Sequence, residues 1–164
     1  GSMLPTLLVG DFLFVSKYSY GYSKYSFPGS LDLFSGRIGG SEPERGDVAV
    51  FRWPKNTSID YIKRVVGLPG DTNGVKHNIL ERSDSDPFDN TGEFVVPPGH
   101  FFAMGDNRDN SQDSRAVSSV GYVPMENLVG RAEFMFFSID DRKGWVFGIP
   151  NGIRWSRIFN TISP

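Results

Sequence analysis

A mostly β fold is predicted by three observations. Glycine and proline are plentiful, 19 and 11 in 164 residues. No long stretch repeats apolar residues at helical spacing, and short runs of β-branched and aromatic residues recur between turn signals. In chain order the expected strands are Asp11 to Tyr18, Asp47 to Arg52, Tyr61 to Val66, Phe94 to Val96, His100 to Met104 and Gly130 to Ser138. Pro124, tolerated at a first helical position, is expected to start one short helix through Met125-Glu126-Asn127. Tyr18 to Glu44, rich in Ser, Gly and Tyr, reads as a long loop or extended excursion. Thr72 to Gly92 is polar, carries Asp84, Asp86 and Asp89, has no clean period, and is expected to be mobile.

The length suits one compact domain, or a domain with a small excursion, and is too short for two large ones. A net charge of -2 with no basic cluster argues against a nucleic-acid partner. With no cysteine there is no disulfide, thiol nucleophile or zinc thiolate site. No apolar run approaches the roughly 18 residues that span a bilayer, so the chain is expected to be soluble. Fourteen phenylalanines still point to apolar surface with a use.

Gly105-Asp106-Asn107-Arg108-Asp109-Asn110-Ser111-Gln112-Asp113-Ser114-Arg115 is a nearly unbroken polar run directly after the apolar His100 to Met104. It could be a solvated loop. A calcium loop needs Gly at its sixth and Glu at its twelfth position, and no phase of the run supplies both, so no metal is expected. The third reading is a buried hydrogen-bond and ion-pair network, because Asp and Arg are rarely buried unless paired.

For hydrolytic chemistry the chain offers no G-x-S-x-G elbow, no S-x-x-K pair and no H-E-x-x-H. His77 and His100 read as surface residues, which disfavours a histidine-based hydrolase. Lysine remains as a base. Lys63 sits among β-branched neighbours in a strand entering the core, where it could equally be an ordinary strand lysine with a snorkelling head group. With an unperturbed pKa it would be neutral in only about one molecule in 2,500 at pH 7, so burial must lower that pKa. Gly1-Ser2-Met3 by itself reads as what a cleaved expression tag leaves before a starting methionine.

Several segments taken together change that. Ser2-Met3-Leu4-Pro5-Thr6-Leu7 with Gly10-Asp11 resembles the nucleophile segment of bacterial type I signal peptidases, also called leader peptidases. Arg45 to Phe51 resembles their next strand, and Tyr61-Ile62-Lys63-Arg64-Val65-Val66-Gly67-Leu68-Pro69-Gly70-Asp71 their lysine segment. The polar run matches the family's Gly-Asp-Asn-Arg-Asp-Asn-Ser-x-Asp-Ser-Arg. Gly121 to Pro124 and Asn127 to Ala132 continue the match in order, across most of the chain.

The resemblance implies a coiled antiparallel β-sheet or partly open barrel, with a catalytic domain at 1–71 and 93–164. The short excursion at 72–92 would stand in place of a larger second β domain. It implies a Ser-Lys dyad of Ser2 and Lys63, a serine endopeptidase that removes signal peptides from preproteins after a small-x-small motif through an acyl-enzyme. Ser111 is the expected hydrogen-bonding partner that orients Lys63, with Asp113 and Arg115 as its supporting ion pair and Arg64 in the same outer layer. Met3, Leu7, Val50, Tyr61 and Ile62 are expected to wall alanine-sized pockets, with Asp60 beside the extended substrate.

The Ser2 main-chain N–H is one expected oxyanion donor. In many relatives a serine two residues before the nucleophile gives a second, and without that residue the hole is expected to be incomplete. No cofactor is implied. The implied partners are signal peptides, the membrane surface and lipopeptide inhibitors of the family. The implied location is the periplasmic face of the bacterial cytoplasmic membrane, with the amino-terminal anchor absent from this chain. Exposed Phe side chains in Tyr18 to Phe34 or near Trp145-Val146-Phe147 are expected to meet that membrane. Two other classes remain: a self-cleaving Ser-Lys repressor domain, for which no helix-turn-helix partner or cleavage segment is visible, and a non-catalytic extracytoplasmic binding module.

Overall fold

The computed structural model describes residues 1–26, 37–71, 79–81, 88, 91–146 and 149–162. Within them the chain forms β1 (Asp11–Ser16), β2 (Tyr22–Ser23), β3 (Arg37–Ile38), β4 (Val48–Trp53), β5 (Asn56–Gly67), β6 (His100–Met104), β7 (Val123–Pro124), β8 (Leu128–Ser138), β9 (Trp145–Val146) and β10 (Ile149–Pro150). The described residues contain no α-helix, only short 3-10 turns. Six strands make one open antiparallel sheet in the order β1-β8-β4-β5-β6-β7, and β2 with β3 and β9 with β10 make small separate ladders. The fold is mostly β, as the turn-rich sequence implies.

Apolar side chains leave both faces of the central strands. Ala49, Phe51 and Val65 pack with Phe101, Ala103, Val123 and Leu128 in one cluster, where the Phe51 and Phe101 rings meet edge-on at 5.4 Å. Val48 packs with Met3, Leu7 and Ala132 in a second cluster, and Ile62 lies against it. Burying β4 on both sides, beside β5 in the sheet, explains its near-continuous apolar run from Val48 to Phe51. It also fixes their register, Val48 opposite Arg64 and Ala49 opposite Lys63, since a one-residue slip would exchange the faces.

Several expected elements differ in extent. The strand expected at Tyr61 begins at Asn56, because the β4–β5 hairpin runs beyond the core into exposed residues and closes through an irregularity at Trp53. Phe94 to Val96 is not a strand. Both edges of β6 are already taken by β5 and β7, so Phe94 packs its ring on Phe102 at 4.6 Å instead. The helix after Pro124 is a single 3-10 turn, Met125–Asn127. The loop expected from Tyr18 to Glu44 holds the two-residue strands β2 and β3, and Arg37 donates to the carbonyls of Tyr20, Gly21, Met125 and Leu128. Most of Thr72 to Gly92, including His77 and the expectation of mobility, lies outside the described residues. The described Leu80 is bridged to Asn107, with its N–H on the Asp106 carbonyl and its carbonyl accepting from Arg108.

Candidate active site

Ser2 lies in the turn before β1. Leu7 N–H donates to the Met3 carbonyl at 2.8 Å, and Met3 and Leu7, both under 10 % exposed, anchor the apolar side of the turn in the core. Gly10 takes φ +91° where the chain swings into β1, and a Cβ there would lie 2.0 Å from the Ile139 carbonyl oxygen, so only glycine fits. Asp11, 1 % exposed at its side chain, closes the turn by accepting from Leu8 N–H, Ser138 and Arg157. Arg157 also donates to the Thr6 carbonyl at 2.9 Å, so the end of the chain holds its beginning.

Lys63 reaches the turn from β5, and its Nζ donates to Ser2 Oγ. The lysine is 5 % exposed, and burial lowers its pKa from the ordinary 10.5 to about 8. Asp113 and Asp106 oppose the shift. Burial wins because each carboxylate is held by a guanidinium. Arg64 donates to Asp106 from Nε at 2.9 Å and from Nη2 at 2.8 Å, and Arg115 donates to Asp113 from Nε and Nη2 at 3.0 Å each. All four side chains are buried, the condition in which a two-pronged pair is strongest and a lone charge most costly. The polar run is therefore a buried network rather than a solvated loop. It ties three segments together: Asp106 accepts from Thr6 Oγ1 at 2.5 Å, Asn107 N–H donates to the Ser2 carbonyl at 3.0 Å, and Arg64 donates to the Gly46 carbonyl at 2.7 Å.

One expected contact is absent. Ser111 Oγ is buried and has no hydrogen-bond partner among the described residues, so it does not bond Lys63, whose ammonium is turned to Ser2. Ser111 nonetheless sits in the site. A Cβ on Gly105 would stand 2.3 Å from Ser111 Oγ and 2.4 Å from the Ser2 carbonyl oxygen, so the glycine is what lets the two serines approach.

A groove of about 330 Å³ opens beside the pair, lined by Ser2, Asp60, Tyr61, Ile62, Lys63 and Gln112. Of the six residues expected to contact substrate, Asp60, Tyr61 and Ile62 are here. Asp60 is ion-paired with Arg52 at 3.2 Å, and the Tyr61 ring stacks on Trp53 with an interplanar angle of 2°. Met3 and Leu7 lie in the core cluster directly behind Ile62, where they bury the apolar side of the turn. Val50 is half-buried between Ile62 and Gly130 and does not line the groove. The sequence missed Gln112, which stands at the variable position of the matched motif. It also missed Asp11 and Arg157, which are distant in sequence and carry no local signal of their pairing.

Beside Asp60 to Ile62 the second edge of β5 has no strand partner among the described residues. β5 pairs with β4 along this stretch, whereas β6 joins β5 only from Arg64 onward, where Arg64 stands opposite Met104. Such an edge can take an extended peptide as an added strand.

Comparison with known proteins agrees with this arrangement of segments. The family described as signal peptidase, peptidase S26, matches residues 1–86 and 75–137. Signal peptidase I of Rickettsia typhi and of Rickettsia prowazekii are each 38% identical over 185 residues, covering 84% of this chain and 69% of each relative. A solved signal peptidase I from Enterococcus faecalis V583 aligns with a TM-score of 0.40 and 24% identity over 56% of this chain and 97% of that one. By the extent of the family match and the identity to the Rickettsia relatives, the chain belongs to the signal peptidase family, peptidase S26.

Proposed function

We propose that this protein removes amino-terminal signal peptides from exported preproteins after a small-x-small motif, with Ser2 as nucleophile and Lys63 as general base. The observation that carries the reading is the contact between Lys63 Nζ and Ser2 Oγ in a buried site where the lysine pKa is near 8. Close to neutral pH a useful fraction of Lys63 is uncharged and able to take the hydroxyl proton.

Ser2 Oγ then attacks the scissile carbonyl carbon, and the carbonyl electron pair moves onto oxygen facing the Ser2 N–H. Collapse expels the amine of the mature chain, which takes the proton from Lys63, and leaves an ester on Ser2. Water, giving a proton to Lys63, attacks the ester; as the tetrahedral adduct collapses Lys63 returns that proton to Ser2 Oγ, and the signal peptide leaves as a carboxylic acid that ionises in water. The peptide lies along the open edge of β5 at Asp60 to Ile62, where Tyr61 and Ile62 leave room for alanine-sized side chains. A lipopeptide inhibitor would compete for that edge. Arg64 and Arg115 neutralise Asp106 and Asp113, the carboxylates near the lysine, and Ser111 stands beside Ser2 across Gly105. Residues 1–71 and 93–164 form the catalytic domain, with 72–92 a short excursion. This division is supported by the six-stranded sheet, whose strands among the described residues come from 11–67 and 100–138.

The working location is the extracytoplasmic face of the cytoplasmic membrane. No helix among the described residues is long and apolar enough to cross a membrane. The support lies in an aromatic face that directly follows the nucleophile turn. Phe12 and Phe14 of the edge strand β1 and Phe136 of β8 are each about half exposed, Phe159 is 74% exposed, and Phe14 stacks on Phe134 at 5.1 Å. Such a surface suits a bilayer interface. The earlier expectation named other places: Phe27, Phe34 and Phe147 lie outside the described residues.

Incubating a purified precursor carrying an A-x-A site with the protein and locating the cut by mass spectrometry tests the reading. The wild type should cut after the second alanine, and Ser2→Ala and Lys63→Ala should not. Cleavage by Lys63→Ala would remove the dyad, and a cut only in the protein's own chain would favour the self-cleaving class.

A further inference from the structure

The proposed oxyanion donor is the N–H of Ser2, and that N–H belongs to the same peptide unit as the Gly1 carbonyl. The unit is planar and rigid, with the two groups pointing to opposite sides, so whatever holds the carbonyl also aims the N–H. Asn107 Nδ2 donates to the Gly1 carbonyl oxygen at 3.2 Å, and the main-chain N–H of Asn107 donates to the Ser2 carbonyl at 3.0 Å. One residue thus grips the peptide planes on both sides of the Ser2 Cα.

We propose that Asn107 is a positioning residue that orients the Ser2 N–H toward the developing oxyanion; this rests on the Ser2–Lys63 reading above. Its side chain is used in an unbalanced way. Asn107 is 4% exposed, and its Oδ1 has no hydrogen-bond partner among the described residues. A buried unpaired acceptor lowers stability, so an amide kept for stability would have both ends satisfied. Flipping the amide would set Oδ1 against the Gly1 carbonyl oxygen, acceptor against acceptor, so only the donor orientation is compatible with the turn.

The residue is itself well held. Leu80 N–H donates to the Asp106 carbonyl at 2.7 Å and Arg108 N–H to the Leu80 carbonyl at 2.8 Å, bracketing Asn107. Asp106 is bound in turn to Arg64 and Thr6. The bond to the Gly1 carbonyl also polarises the shared peptide unit, which makes the Ser2 N–H a better donor.

Two variants test the assignment, Asn107→Ala and the volume-preserving Asn107→Leu; both retain the main-chain bond to Ser2. Removing an oxyanion donor outright costs about 10²–10³ in kcat, and loosening its aim should cost about 10-fold, with KM changed less than about two-fold. A purely structural role would not reproduce a second readout. A peptide aldehyde ending in alanine adds to Ser2 Oγ and places its oxygen at the oxyanion position. Its affinity should fall by the same factor as kcat/KM. In a Ser2→Ala background, Asn107→Leu should leave affinity for the uncleaved peptide unchanged. The pH midpoint of kcat/KM should stay where Lys63 sets it.

A wild-type kcat in both variants, or equal losses for aldehyde and uncleaved peptide, would overturn the assignment. If the wild type cleaves and Lys63→Ala does not, those outcomes count against Asn107 alone. Cleavage by Lys63→Ala would bring down the dyad and this inference together.

Discussion

Replacing Lys63 with methionine should abolish cleavage and stabilise the protein. The folded state holds Lys63 at a pKa of about 8, against 10.5 for the free side chain. Each pH unit between the two is worth about 1.4 kcal/mol, so keeping this lysine in a buried site costs on the order of 3 kcal/mol at pH 7. Methionine fills a similar volume without a charge, and loss of the bond to Ser2 gives back about 1 kcal/mol, leaving a net gain of about 2 kcal/mol.

The sign of the pH dependence follows from proton binding. Between pH 8 and 10.5 the unfolded chain holds a proton that the folded protein has released, so wild-type stability rises with pH across that window. Below pH 8 the full cost is present. Urea denaturation of both proteins at pH 7, and at steps up to pH 10.5, reads the difference, in which other titrating groups cancel. The variant's advantage should shrink as pH rises. A variant less stable than wild type at pH 7, or a difference that does not change with pH, would refute the claim that burial sets the lysine pKa.

Ser111→Ala should leave the urea midpoint nearly unchanged, because its hydroxyl has no partner to lose, while kcat falls about 10-fold or more if the hydroxyl engages Lys63 during turnover. Arg115→Gln leaves Asp113 less neutralised, so the lysine pKa should rise and the pH midpoint of kcat/KM should move upward, read from a rate profile between pH 6 and 10. Phe14→Ser with Phe136→Ser should weaken sedimentation with anionic-lipid vesicles several-fold without slowing cleavage of a short soluble peptide.

The strand pattern was legible where burial is two-sided or where glycine and proline punctuate it: His100–Met104 appears with the expected bounds, and β4 and β8 are shifted by one or two residues. It failed at Phe94 to Val96, where the neighbouring strand β6 already has both edges paired, a fact of topology rather than of local composition. Likewise the exposed half of β5 gives little apolar signal, since Asn56 to Asp60 are held by hairpin pairing alone.

In the site, Ser2 and Lys63 could be named because their segments resemble a family, and the structure brings them into contact. The burial of Met3 and Leu7 in the turn's core was not legible, because an apolar side chain next to a nucleophile looks the same in sequence whether it walls a pocket or anchors a turn. Asp11 with Arg157, and Asn107 with Gly1, are pairings across more than a hundred residues, and nothing local in either partner announces the other.

The central claim is that a buried, largely desolvated Lys63 is the base for Ser2. The pH dependence of kcat/KM on an A-x-A peptide tests it most directly, because that ratio reports the free enzyme's titrating groups. The rate should climb about tenfold per pH unit at low pH and level off through a midpoint near 8, the value that burial gives Lys63. A midpoint above 10, where an unburied lysine titrates, or a profile unchanged in Lys63→Ala, would contradict it.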